Sequence, residues 1–143
     1  MTLDAGVLLV NLRVVGVLMA GLAVMNLFVP RRFAWREELA RVSLVNRQIF
    51  QVHASFLILT LALLSALLLT SADALLEPTR LARAILGGLT LFWGARMLTQ
   101  WCYYSPAIWR GHRFNTTVHV FFSGLWIYVT GVFGASLYFV ALN

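Results

Sequence analysis

Four long apolar runs, at about residues 5–29, 47–70, 81–104 and 113–140, take up most of this sequence and leave only short connections between them. A helix that crosses a bilayer needs about 20 consecutive apolar residues, so each run is long enough to cross once. With 61% hydrophobic and 11% charged residues and a mean hydropathy of +0.84, the chain lies well beyond the apolar share of soluble domains. The 143 residues leave no room for a separate soluble catalytic domain. The expected fold is an all-α membrane protein: a single transmembrane domain over 1–143, built as a left-handed four-transmembrane-helix bundle. The first run does not read as a signal peptide. Its leader, Met1-Thr2-Leu3-Asp4, is acidic, and the basic pair Arg31-Arg32 follows the run where a signal peptide needs its charge in front.

The connections agree with this division. Pro30, Pro78 and Pro106 fall one in each connection, where a residue without an N–H does least harm. All eleven basic residues are Arg. Arg31, Arg32, Arg36, Arg41 and Arg47 flank the first connection and Arg110 and Arg113 the third, whereas Arg80 and Arg83 are offset by Asp73 and Glu77 around the second. The positive-inside rule then puts the first and third connections in the cytoplasm and both termini outside, in a bacterial inner (plasma) membrane. Trp35, Trp101, Tyr103, Tyr104 and Trp109 read as an aromatic belt on the cytoplasmic side. The net charge of +6 is explained by anionic headgroups, so membrane lipids are the expected partners and nucleic acid is not. Between the first two spans, over about 33–45, Trp35, Leu39 and Val42 follow a helical stripe with Arg36, Glu37 and Arg41 elsewhere on the wheel. A short interfacial amphipathic helix is expected there. Cys102 is the only cysteine, which leaves no intrachain disulfide or cysteine-based metal cluster.

Against this background Arg96 stands out, because it lies inside the third run. A central Arg costs about 2.5–3.5 kcal/mol on insertion scales and normally faces a bundle interior or a wet cavity. It is eight residues from Tyr104, roughly 12 Å at the helical rise. Counting equal depths from the cytoplasmic ends of the other spans gives one polar layer of Arg96, Ser55 and Ser123, and a shallower one of Gln100, Gln51 and His119. Helical phase puts Arg96, Gln100 and Tyr103 on one face with Trp93. It aligns Asn115, His119, Trp126 and Thr130 on the fourth span and Arg47, Gln51 and Ser55 on the second. Gly124 and Gly131 form a small-residue packing stripe roughly opposite. The expected site is therefore a cytoplasm-facing polar cavity lined by Arg96, Gln100, Gln51, Ser55, Asn115, His119 and Tyr103.

No Asp or Glu lies within any of the four runs, so the counter-charge for Arg96 comes from outside the chain or is replaced by amides, carbonyls and water. A guanidinium's fork of donors suits a phosphate, a carboxylate or a cofactor propionate. The favoured reading is a non-enzymatic membrane subunit or binding protein for an amphiphilic anionic ligand, a lipid, quinone or similar molecule, with protein partners in a membrane complex. The alternative is a compact enzyme on a lipid or isoprenoid, with Arg96 as anion holder and His119 as acid or base. A third reading is a haem b subunit with His53 and His119 as axial ligands. It is weakened by phase, because His53 projects with Asn46 and Thr60, away from Gln51 and Ser55. The absence of intramembrane carboxylates argues against proton pumping and carboxylate catalysis. No metal cluster, phosphate loop or nucleophile elbow is present in the sequence, and the residues name no cofactor.

Overall fold

The computed structural model describes residues 4–105 and 113–143; Pro106, Trp109, Arg110 and the rest of 106–112 lie outside them. The described residues are helical, without a strand. In order they form α1 (Ala5–Arg32), α2 (Trp35–Glu38), a 3₁₀ turn (Leu39–Arg41), α3 (Leu44–Thr70), a 3₁₀ turn (Ala74–Leu76), α4 (Arg80–Cys102) and α5 (Arg113–Leu142). The four long helices, α1, α3, α4 and α5, are each long and apolar enough to cross a membrane.

Local chemistry explains where several of these helices begin and end. Ser43 starts α3, its Oγ accepting from the Asn46 N–H at 3.4 Å, and Thr79 starts α4, its Oγ1 accepting from the Ala82 N–H at 3.0 Å. Both satisfy a donor that a helix start leaves orphaned. At the end of α1 the sequence reading and the structure differ, because Pro30 lies inside the last turn. There it forfeits the N–H bond to the Asn26 carbonyl, four residues back, and α1 ends two residues later. The helix stops at Ala34, which adopts left-handed φ 47 and ψ 39, a conformation normally left to glycine. Over 33–45, where the amphipathic pattern predicts one short helix, the chain makes the single turn of α2 and then the 3₁₀ turn, with Val42 already extended.

The chain forms two compact units, one of Met1–Leu12 with Asp73–Asn143 and the other of Arg13–Ala72. In the first, α4 and α5 run antiparallel. Arg83 Nε donates to the Val140 carbonyl at 3.2 Å near one end, and Gln100 meets His119 at 2.9 Å near the other. Leu86, Trp93, Val129, Phe133 and Val140 are buried. The Tyr128 hydroxyl donates to Asn11 Oδ1 at 2.7 Å and ties in the start of α1. The glycines that face the partner helix are Gly94 and Gly134, where an added Cβ would lie 3.8 Å from Thr130 Cγ2 and 3.7 Å from Thr90 Cγ2. The expected packing stripe of Gly124 and Gly131 instead borders open space.

In the second unit α1 packs on α3 most closely at Gly16, where a Cβ would stand 3.0 Å from Leu69 Cγ and 3.1 Å from Leu68 Cβ. Val15, Met19, Leu61, Leu68 and Ala72 are buried. Trp35 of α2 meets Phe50 of α3 edge to face at 4.7 Å, which holds the short segment between the helices against the first turns of α3.

Candidate functional site: a donor-rich patch on α4 and α5

One helical turn of α4 sets Arg96 above Gln100, and Arg96 Nη1 donates to Gln100 Oε1 at 3.3 Å. Gln100 is buried and lies 2.9 Å, Nε2 to Nδ1, from His119 of α5. These contacts fix their own polarity. Arginine can only donate, so the amide oxygen faces Arg96 and the amide nitrogen donates to His119 Nδ1, which leaves the imidazole proton on Nε2.

Aromatic rings form the rest of the surroundings of Arg96. Its Cζ lies 4.9 Å from the Trp126 ring centre and 5.9 Å from that of Tyr104. Trp126 stacks on Trp93 at 5.0 Å and on Phe122 at 5.6 Å. A desolvated cation–π contact is worth about 2 kcal/mol, and the Arg96–Gln100 hydrogen bond, made within α4, adds to it. Together they offset most of the ~2.5–3.5 kcal/mol that a mid-span Arg costs. They do so while leaving donors in excess. Among the described residues Gln100 Oε1 is the one acceptor that Arg96 meets. Among the described residues the buried indole Nε1 atoms of Trp93 and Trp126 and the Thr130 hydroxyl have no hydrogen-bond partner.

The structure thus brings together Arg96, Gln100 and His119 of the expected site. Asn115 sits one turn before His119 on α5 and is half-buried. Tyr103 is 81% exposed and touches Tyr104, and it is Tyr104 whose ring approaches Arg96. Tyr103 is the C-cap of α4 and keeps helical backbone, its N–H donating to the Thr99 carbonyl, but its side chain points out, and Tyr104, one residue further on, takes the place beside Arg96. Ser123 accepts from Trp101 Nε1 at 3.1 Å. Gln51 and Ser55 belong to the other unit, where the Ser55 hydroxyl donates to the Gln51 carbonyl at 3.0 Å and both line a pocket of about 460 Å³. His53, exposed in that same unit, donates from Nδ1 to the Ile49 carbonyl at 2.8 Å. Sequence reasoning missed the ring stack under Arg96. A signal for it was present, since Trp93 shares a face with Arg96, and Trp126 shares one with His119.

Fold and site together define an all-helical chain with four helices able to cross a membrane and a donor-rich patch on two of them. No known protein family, curated protein or solved structure matches it.

Proposed function

We propose that this chain is an integral membrane protein whose Arg96 patch binds an amphiphile presenting an anionic or strongly accepting group, a lipid, quinone or similar molecule, as a non-enzymatic binding protein or a subunit of a membrane complex. The observation that carries the reading is the donor excess. Among the described residues, a half-buried guanidinium with a single acceptor stands beside two buried indole N–H groups that have none, in helices without a carboxylate. Unpaired donors away from water are costly, and an acceptor from outside the chain relieves several of them at once. The arginines of the first and third connections support an orientation with the Gln100–Tyr104 end of the patch on the cytoplasmic side, both termini outside and the segment around α2 at the headgroups.

The test is the Arg96→Met variant of the full chain, purified in mild detergent beside the unaltered protein, with native mass spectra of both. The unaltered chain is expected to retain a small molecule that the variant loses; equal retention refutes the reading. The enzymatic alternative draws its support from the Gln100–His119 hydrogen bond, which holds the imidazole in one tautomer as an acid or base requires. Under that reading His119→Ala keeps the molecule bound and abolishes its turnover.

A further inference from the structure

We infer that the pocket in the unit Arg13–Ala72 binds the phosphate headgroup of an anionic phospholipid between Arg36 and Arg47, with the first part of an acyl chain running down α3. The pocket, about 460 Å³, is walled by the end of α1, by α2 and by the first turns of α3. Its lining is graded along α3. Arg47, Gln51 and Ser55 recur every four residues from one end, and Leu57 and Ile58 close the other. From Arg47 to Ile58 is eleven residues, or roughly 16 Å at the helical rise, which matches a headgroup followed by glycerol and the first methylenes of an acyl chain. Arg36 joins from α2, which the Trp35–Phe50 contact holds against α3.

Charge selects the headgroup. Neither Arg36 nor Arg47 has an ion pair or hydrogen bond among the described residues, although Glu37 and Glu38 lie next to Arg36 in sequence. Two guanidinium groups without a partner among the described residues, at one end of a pocket whose wall also includes Asn26, Gln51 and Ser55, are matched by phosphate oxygens, which accept from such forks in pairs. The gradient towards Leu57 and Ile58 is matched by a lipid and not by a free anion. Gln51 and Ser55 thus contribute to a second site, different in composition from the Arg96 patch. The inference shares with the proposed function only the premise that the helices cross a bilayer.

The full chain, in detergent and in phosphatidylcholine nanodiscs, is titrated with phosphatidylglycerol, and the bound lipids are counted by native mass spectrometry. Arg36→Gln with Arg47→Gln is expected to weaken the tightest lipid about thirtyfold, at roughly one headgroup interaction lost per charge. The pair Arg31→Gln and Arg32→Gln, which removes the same charge outside the pocket, is expected to change it less than threefold. Ile58→Trp keeps both arginines but fills the apolar end, and is expected to reduce binding at least tenfold. Arg96→Met leaves this lipid in place, so loss in one variant and not the other tells the two sites apart. The inference is overturned if the Arg31/Arg32 pair matters as much as the Arg36/Arg47 pair. It is equally overturned if Ile58→Trp has no effect, or if millimolar inorganic phosphate displaces the lipid.

Discussion

Removing Gln100 is expected to harm the protein more than removing the charged residue it supports. In Gln100→Leu the Arg96 guanidinium loses its one acceptor and His119 Nδ1 loses its amide donor. Leaving a charged donor unsatisfied away from water costs about 2–3 kcal/mol, and the second lost bond adds about 0.6 kcal/mol, so the variant is destabilised by about 3 kcal/mol. Arg96→Met also breaks the bond to Gln100, which at 3.3 Å is long and weak, and it removes the contact with Trp126, worth up to about 2 kcal/mol. It also removes the ~2.5–3.5 kcal/mol that the charge costs in a span, and Gln100 keeps its bond to His119. The net change is within about 1 kcal/mol of zero. The double variant is then expected to be more stable than Gln100→Leu alone by about 2 kcal/mol, since no unpaired charge remains. Reversible unfolding in mixed micelles with increasing sodium dodecyl sulfate, followed by helical circular dichroism, gives all three values. If the two single effects simply add, the hydrogen-bonded chain from Arg96 to His119 does not hold the site and the reasoning fails.

Three further outcomes follow from the packing. Ala34 sits in left-handed backbone at φ 47, so Ala34→Gly is expected to stabilise the protein by about 1 kcal/mol in the same titration; a destabilised variant would show that the turn is not held in this conformation. At Gly16 an added side chain meets Leu68 and Leu69 at about 3 Å, whereas at Gly21 on the same helix it meets nothing. Gly16→Leu is therefore expected to cost roughly 1–3 kcal/mol and Gly21→Ala to be neutral or stabilising, with equal effects counting against the close α1–α3 approach. Tyr128→Phe removes the 2.7 Å bond to Asn11 and is expected to cost about 0.6–1.7 kcal/mol, an effect that should vanish when Asn11 is already Ala.

The four long helices were legible because each apolar run exceeds a bilayer crossing, whereas the Ser43 and Thr79 caps that start α3 and α4 emerge only from the structure. The partnership of Gln100 and His119 was legible for a geometric reason. In two antiparallel helices, residues at equal distance from the same end lie at equal height, and depth counting put these two level before any contact was known. The same method fails wherever the chain leaves the helix. Tyr104, the residue after the Tyr103 cap of α4, takes the place beside Arg96 that the wheel gave to Tyr103. Arg36 reaches the pocket of Gln51 and Ser55 through the left-handed step at Ala34, and hydrophobic periodicity carries no information about such a step. Pro30 shows a third kind of limit, since the structure carries α1 through the proline to Arg32, leaving the Asn26 carbonyl without its helical donor, where the sequence reading ended the run.

The Arg96–Gln100–His119 contacts also have a direction. Arginine gives, the amide takes with one end and gives with the other, and the imidazole takes, so the row works like a one-way coupling between α4 and α5. No other uncharged side chain of that length has an acceptor and a donor side by side. A carboxylate at position 100 would satisfy Arg96 and have nothing to give His119, whose ring would then have to turn its own proton inward. Position 100 therefore sets the sense in which the two helices recognise each other, and that sense cannot be reversed while Arg96, which can only donate, stands at the head of the row.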